Sequence, residues 1–136
     1  MPVRQTFRAF VDTLEAVTVT GVNTHFTQGP PASLTDAHLP AKWVMLPRAT
    51  ESAVVFGEQG GVQTMSADIV IAVVANVQNI QGENFDLTIN LMDNLMTALS
   101  AMGLCGVRSK WRVNIRQTTV TVAGFDGWGI VCTVEG

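Results

Sequence analysis

The chain has 136 residues, a mass of 14.6 kDa and a net charge of −3 at pH 7, which is the size of one domain and leaves no room for two. An apolar content of 47% excludes intrinsic disorder, and the longest apolar run, residues 69–75, is far shorter than the roughly 20 residues of a membrane span. Charged residues make up 14%, against about 25% in ordinary proteins. We therefore expect a single domain, 1–136, whose surface is partly covered by other protein. The acidic balance argues against nucleic-acid binding as its main activity.

The N-terminal part begins with an amphipathic helix, predicted over residues 3–15. Its apolar side carries Phe7, Phe10, Val11 and Leu14. Residues 17–22 alternate between apolar and polar side chains, which predicts a strand. Residues 23–42 show no sustained periodicity and contain three prolines, so we expect a loop of about twenty residues there. Within it, residues 33–36 can cap a single helical turn that Pro40 ends.

Three strands are predicted in the middle of the chain. Residues 43–46 are apolar and stop at Pro47, residues 53–56 form a second run, and a turn over 57–61 leads into the longest strand, 62–77. The second half of that strand is apolar on both faces. We therefore expect it to be covered on both sides, by the chain's own helices and by a neighbouring subunit.

The strongest helical periodicity runs from residue 83 to residue 102. The apolar side carries Phe85, Ile89, Met92, Met96 and Leu99, flanked by Leu91, Leu95, Ala98 and Met102. The polar stripe carries Asp86, Asn90, Asp93, Asn94 and Thr97. Acidic residues in the first turn and Gly103 after the last turn suit the two ends of a helix. We expect the methionines to fill the core rather than to contact a cofactor.

The C-terminal part predicts antiparallel β structure. Residues 108–116 and 119–123 alternate, 124–127 predict a turn, and 128–134 predict the last strand. In the first of these strands, Trp111, Val113 and Ile115 point to one face. The whole order indicates an α+β fold: a mixed, mostly antiparallel sheet, two main helices packed on one face, and a long loop between the first two strands.

Catalytic and metal chemistry have little support in the sequence. The two histidines, His25 and His38, both lie in the long loop, and there is no Gly-x-Ser-x-Gly motif. His38 beside Asp36 is the one enzyme-like arrangement, set against a solvated loop histidine, and the spacing matches no zinc pattern. Cys105 and Cys132 are expected to be reduced, buried thiols. We therefore expect no catalytic residue, no metal and no cofactor.

Half of the eight cationic residues stand on one face of the predicted strand 108–116. They are Arg108, Lys110, Arg112 and Arg116. Three interpretations of this basic row stay open. It is a solvated sheet face or edge guarded by charge, a contact to an acidic protein surface, or a nucleic-acid contact.

Three segments carry a resemblance to a known family. DAHLPA at residues 36–41 runs into a short apolar strand stopped by Pro47, MDNLMTAL at 92–99 lies in the long helix, and VTVAGFDGWGI at 120–130 lies near the end. Together with the element order, these segments resemble the tail terminator, or tail completion, proteins of long-tailed bacteriophages, the family of U-like minor tail proteins. The likeness is one of layout and spans nearly the whole chain.

The resemblance implies a virion structural protein of the tail and neck, without catalysis. Such subunits form a hexameric ring that caps the tail tube, ends its polymerisation and joins it to the head-tail connector. The implied partners are other copies of the chain, the tail tube protein and the head-tail connector protein. DNA passes through the lumen as cargo, and no membrane is involved. Residues 1–4 lead directly into a periodic segment without a signal-peptide core. The resemblance also implies assembly in the host cytoplasm.

The expected contacts to adjoining rings are the long loop, the turn 57–61 and, as a weaker candidate, the basic row. The candidate interface residues are His25, Gln28, Asp36, His38, Lys42, Glu58, Gln59, Arg108, Lys110, Arg112 and Arg116. Replacing Arg112 and Arg116 by Glu is expected to impair docking onto the tube or connector while leaving the monomer folded.

Two alternatives stay open. Within the structural class, the chain is another neck or connector component, or a tube subunit, which would polymerise without limit. From another class, it is a small oligomeric ligand-binding or enzymatic α+β domain with a pocket around His38 and Asp36.

Overall fold

The computed structural model describes residues 6–47, 52–56, 63–74, 83–104, 111–122 and 125–136. These residues form two α-helices, a short 3-10 helix and six strands. The helices are α1 (Phe7–Glu15) and α2 (Glu83–Ala101), and the 3-10 helix is Asp36–His38. The strands are β1 (Thr24–His25), β2 (Ala41–Met45), β3 (Val54–Phe56), β4 (Gln63–Val74), β5 (Arg112–Val122) and β6 (Phe125–Glu135).

The six strands form one sheet. Its order is β1-β2-β4-β6-β5, and β3 pairs with the first residues of β4. Of the strand pairs that the structure describes, β1 with β2 is parallel and the other four are antiparallel. The chain is therefore α+β with a mixed, mostly antiparallel sheet, as the sequence predicts.

Both helices pack on one face of the sheet, which confirms the predicted arrangement. Side chains of α1 and α2 meet those that β2, β4 and β6 direct to this side. The fully buried members include Phe10, Leu14, Ile69, Ile71, Leu91, Leu95, Leu99, Ile130, Cys132 and Val134. The rings of Phe10 and Trp111 stack with centroids 4.9 Å apart, which ties α1 to the residue before β5. Each buried leucine or isoleucine contributes about 1.5–3 kcal/mol of transfer free energy, so this face supplies most of the stability.

Helix α1 begins where the N-cap residue Thr6 accepts a hydrogen bond at Oγ1 from the backbone N–H of Ala9, 3.1 Å away. Phe10 and Leu14 are buried, and Phe7 and Val11 are half-buried against the same core. The predicted apolar side is therefore confirmed. The predicted start at residue 3 lies outside the described residues.

The predicted strand over residues 17–22 is wrong. Val17 and Val19 are buried as the alternation suggests, but their backbone is closed by local turns: Val17 donates to the carbonyl of Leu14 and Val22 to that of Val19, each at 3.2 Å. Gly21 has a φ of +94°, and a Cβ there would lie 3.1 Å from the side chain of Leu91. The segment therefore turns beneath α2 at Gly21 and does not continue as a strand.

The predicted irregular loop over residues 23–42 is not confirmed either. Residues 24–25 form β1, the predicted helical turn appears as the 3-10 helix at 36–38, and residues 41–42 belong to β2. The segment between β1 and β2 folds over the second face of the sheet. Leu34 is buried there in an apolar cluster with Trp43 of β2 and Val70 of β4. The apolar second half of the long strand is thus covered by the chain's own loop where a neighbouring subunit was expected.

The remaining central elements agree with their predictions within a few residues. Helix α2 matches the predicted helix 83–102, and Gly103 follows it with a φ of +73°. Strand β2 begins two residues before the predicted 43–46, and β4 covers the described part of the predicted 62–77. The predicted turn 57–61 lies outside the described residues. Neither of the described helices has the length and apolar character that crossing a membrane requires.

The C-terminal hairpin corrects the predicted turn at 124–127. The two strands predicted at 108–116 and 119–123 are one strand, β5, whose last residue Val122 pairs with Phe125 of β6. Asp126 and Gly127 are therefore strand residues. A Cβ on Gly127 would collide with the carbonyl oxygen of Val74, so this glycine permits close approach of two strands rather than a turn.

Candidate interaction surface

The second face of the sheet, opposite the helices, has a covered half and an open half. The covered half is the apolar cluster beneath the segment between β1 and β2. The open half is formed by paired residues of β5, β6 and β4, whose side chains share one face because they are cross-strand partners. They are Arg112 with Glu135 and Ser66, and Asn114 with Thr133 and Asp68. Val113 and Ile115 point to the helices, as predicted.

A hydrogen-bonded row crosses the open half from strand to strand. Arg116 donates through Nη1 to Oγ1 of Thr133 at 2.9 Å, and Thr133 donates to Oδ1 of Asp68 at 2.8 Å. Both hydrogen bonds are charge-assisted, because the threonine hydroxyl accepts one from a guanidinium and donates the other to a carboxylate. The row holds the Arg116 side chain along the sheet surface, while its residue remains exposed.

Two shallow depressions adjoin Arg116 and together form a trough on the open half. The first has a volume of about 320 Å³ and lies at the edge of the covered half, since Val70 and Val120 in its lining are buried members of the apolar cluster there. The second has a volume of about 530 Å³ and is lined in part by Arg112, and Val55 at its border is 49% exposed. The trough is therefore lined mainly by polar side chains, and its two arginines, Arg112 and Arg116, are balanced by the carboxylates of Asp68 and Glu135.

The outer side of α2 carries an apolar stripe, which we define as Phe85, Ile89, Met92 and Met96. Phe85 is 54% exposed, Ile89 41% and Met96 51%, and Met92 is half-buried. The spacings of four, three and four residues place these side chains one above another on the helix. These side chains therefore form an exposed apolar row along the helix.

The stripe corrects the predicted orientation of α2. The sequence suggests that the stripe faces the core, yet the buried line runs through Thr88, Leu91, Leu95 and Leu99. Apolar residues occupy more than half of the helix circumference, and a flat sheet covers a narrower arc than that. The sheet takes the arc centred on Leu95 and leaves the stripe outside. The breadth of the apolar arc could have indicated in the sequence that part of it stays exposed, because a surface helix normally has only one narrow apolar side.

Carboxylates border the apolar stripe. Asp86 and Asp93 are exposed and seven residues apart, so they lie on the same side of α2. Residues 83–104 contain three acidic residues and no lysine or arginine. The outer side of α2 is thus apolar and acidic.

Lys42 has a place that the sequence did not predict. Its side chain is fully buried, and Nζ donates to the carbonyls of Leu14 at 3.0 Å and Glu15 at 3.3 Å. Burial lowers the pKa of Lys42 to about 8, and the charge of Glu15 opposes that shift. The ammonium caps the negative end of α1. Its position inside the chain removes Lys42 from the surface available to a partner.

The two histidines are hydrogen-bond acceptors within the segment between α1 and β2. His25 accepts through Nε2 from the N–H of Val19 at 3.2 Å, and burial, followed by the charge of Lys42, lowers the pKa of His25. His38 accepts through Nδ1 from the N–H of Thr35 at 3.1 Å, and its ring meets Phe26 edge to face. Both imidazoles therefore hold backbone turns in place.

The other predicted interface residues are scattered. Gln28 is exposed with a φ of 63°, and its N–H donates to Oε1 of Glu15 at 2.9 Å. Asp36 lies in the 3-10 helix. Of the predicted set, the structure pairs His25 with Lys42 across β1 and β2 and places Arg112 and Arg116 on one face of β5. Those that lie outside the described residues are Glu58, Gln59, Arg108 and Lys110.

A second exposed apolar feature lies beside α1. Leu46, just after β2, is exposed and borders a cleft with Phe7 and Val11 of α1 and with Gly29 and Pro30. The cleft has a volume of about 570 Å³. Leu46 is the last residue of the predicted strand 43–46, whereas β2 ends one residue earlier, at Met45.

Within the described parts of the chain, no group of three or more His, Cys, Asp and Glu side chains is arranged to hold a metal ion. The chain matches no protein-family model, and no curated protein shows significant similarity to it.

Proposed function

We propose that the protein is a virion structural protein of a long-tailed bacteriophage. In this proposal it forms a ring, hexameric by the family resemblance, that caps the tail tube, ends tube polymerisation and joins the tube to the head-tail connector. Its partners are other copies of itself, the tail tube protein and the connector protein, and DNA passes through the ring. It is assembled in the host cytoplasm and resides in the tail and neck of the virion.

The observation that carries the proposal is the exposed apolar stripe on α2. A monomer would expose this row of four apolar side chains to water. Exposed apolar surfaces of this kind are normally buried against another protein in the functional assembly. The small number of charged residues supports the same conclusion, since 19 charges on 136 residues leave few ionic groups to keep that surface hydrated.

The positions of the two histidines support a structural role over the enzymatic alternative. Nδ1 of His38 accepts a backbone hydrogen bond from Thr35, so this nitrogen is already engaged and would have to leave the turn to act as a base. A tube subunit or another neck component remains the alternative within the structural class. It differs in one measurable property, because a tube subunit polymerises without limit and a terminator stops at a closed ring.

The test is the assembly state of the purified chain and of two matched variants. Native mass spectrometry and negative-stain electron microscopy of the wild type should show closed rings of one size. Ile89→Glu combined with Met96→Glu puts charge into the stripe and should yield monomers with an unchanged circular dichroism spectrum. The control, Asn90→Glu with Thr97→Glu, adds the same charge to the exposed polar side of α2 and should still form rings.

Two results would count against the proposal. A wild-type chain that stays monomeric at high concentration would remove the structural role, and open tubes of indefinite length would replace the terminator with a tube subunit. Rings formed equally well by both variants would show that the stripe is not the surface that assembly covers.

A further inference from the structure

We propose that His25 makes the segment between α1 and β1 sensitive to acid. When the imidazole of His25 is protonated, it can no longer hold the backbone N–H of Val19, and the turn between these two residues opens. This switch lies within one subunit and does not require the proposed ring.

The hydrogen bond between Val19 and His25 requires a neutral imidazole. Nε2 of His25 accepts from the N–H of Val19 at 3.2 Å, whereas an imidazolium carries a proton on both nitrogens and has no acceptor. Val19 is 1% exposed, so water cannot easily replace the imidazole as the partner of this N–H. Protonation of His25 therefore leaves a buried donor without an acceptor, which favours opening of the turn.

A positive charge already lies beside His25. Lys42 of β2 is the register partner of His25 in β1, and its buried Nζ donates to the last two carbonyls of α1. A protonated His25 in the closed turn would have this ammonium as its neighbour, and the two like charges would repel each other. Burial and, after it, the charge of Lys42 lower the pKa of His25.

Helices α1 and α2 also face this segment. Glu15 at the end of α1 acts on Lys42, whose pKa it raises against the effect of burial. Helix α2 meets the segment through a neutral group, since Nδ2 of Asn94 donates to the carbonyl of Thr20 at 2.8 Å, and the adjacent Asp93 is exposed. Within the described parts of the chain, the charge that acts directly on His25 is thus the positive charge of Lys42.

The opening is expected to remain local. Residues 17–25 contain only the two strand residues of β1, and turn bonds such as the one from Val22 to the carbonyl of Val19 hold the rest. The leucines of α2 stay packed on the sheet whether this turn is closed or open. Acid would loosen the contact of Asn94 with Thr20, which supports the helix that carries the apolar stripe.

The direction of the pH effect follows from which form binds the proton. In the open segment, His25 takes up a proton near its ordinary pKa of 6.5, and in the closed segment the pKa is lower than this. The closed form therefore keeps its full advantage above pH 6.5 and loses it progressively as the pH falls below this value.

The experiment is hydrogen–deuterium exchange, read by mass spectrometry at about pH 7.5 and about pH 5, on either side of the histidine titration. Rates are corrected for the intrinsic effect of pH, and a peptide covering residues 17–25 is compared with one from β4. In the wild type, the protection of residues 17–25 should fall by about 10-fold at the lower pH, while β4 keeps its protection. The method reads monomers and rings alike.

His25→Gln is the decisive variant. The glutamine amide oxygen can accept the N–H of Val19 in place of Nε2 and binds no proton in this pH range, so the response to acid should disappear. His38→Asn is the matched control, because His38 also accepts a backbone N–H, from Thr35 through Nδ1 at 3.1 Å. This control should keep the wild-type response at residues 17–25.

Lys42→Met is an independent second variant. It removes the charge that helps to lower the pKa of His25, so the closed and open forms differ less in their affinity for the proton. The response to acid should therefore be weaker than in the wild type but still present.

Three results would overturn the switch. They are wild-type protection that does not change with pH, a response that persists in folded His25→Gln, and a response that is lost in His38→Asn. If circular dichroism shows that His25→Gln does not fold, a response in Lys42→Met as large as in the wild type would overturn it instead. A monomeric wild type with the expected response would refute the proposed ring and leave the switch intact.

Discussion

The two faces of the sheet are built in different ways. The face under α1 and α2 is apolar and closed by regular elements, with Lys42 as its buried charge among the described residues. The other face is closed over half its area by an irregular segment and is open over the rest, where Arg112, Arg116 and Asp68 lie. The comparison teaches that the closed face holds most of the buried apolar side chains, and that charged side chains lie on the sheet itself where the chain leaves it uncovered.

The closed face should show the largest loss of stability. Leu95→Ala removes a fully buried side chain from the centre of the α2 contact and should lower the free energy of unfolding by about 4 kcal/mol. Urea denaturation measures it, with Asn90→Ala on the exposed side of α2 as the control, expected within about 0.5 kcal/mol. Equal losses in the two variants would mean that α2 does not bury the arc around Leu95.

Lys42 tests whether a charged group buried in the closed face lowers the free energy of unfolding. Because burial lowers the pKa of Lys42 from 10.5 to about 8, the unfolded chain holds a proton between these values that the folded chain has lost. Stability should therefore rise with pH across this window, by up to about 3 kcal/mol relative to Lys42→Met. The measurement is urea denaturation of both proteins from pH 7 to 10.5, where the absence of tyrosine simplifies the background. Parallel pH profiles would contradict the burial of a charged lysine.

Loss of packing beneath the segment between β1 and β2 should cause local rather than global unfolding. Leu34→Ala removes the leucine that anchors the segment between β1 and β2, at an expected cost of about 2 kcal/mol, the low end for leucine because a loop can settle into the space. Hydrogen exchange should quicken at Phe26, whose N–H donates to the carbonyl of Lys42, and stay slow in β4. Ser33→Ala, at an exposed position next to it, is the control. Faster exchange throughout β4 would show that both faces unfold as one unit.

The open half should show the smallest effect on stability. Thr133→Val removes the hydroxyl that links Arg116 to Asp68 and should cost about 1 kcal/mol in thermal or urea unfolding. Thr121→Val, which removes a longer hydroxyl-to-carboxylate bond to Asp126, is the matched control on β5. A loss in Thr133→Val as large as that in Leu95→Ala would erase the distinction between the two faces.

Periodicity and chain order predicted the fold class because each long element carries its own signal. The apolar side of α1, the alternation around Trp111 and Val113, and the caps of α2 are local patterns that tertiary packing did not override. The short elements were harder. Residues 17–22 alternate like a strand, but Gly21 and the position of α2 make that segment turn. A local sequence pattern cannot show where a helix that comes much later in the chain will pack.

The candidate surface was predicted in part. Arg112 and Arg116 follow from strand alternation and lie where expected, on a face away from the core. The bonded row joins Thr133 to Arg116, 17 positions away, and to Asp68, 65 positions away, so strand pairing had to be known first. The internal position of Lys42 likewise depends on the end of α1 meeting β2.

The sequence by itself determined the long helices and strands, the buried side of α1 and the shortage of charge, because propensity and periodicity act over a few neighbouring residues. The tertiary structure alone decided which apolar side of α2 the sheet covers, which half of the second face stays open, and which lysine is buried. These choices depend on how much area one layer can cover on another, and that area is shared among residues far apart in the chain.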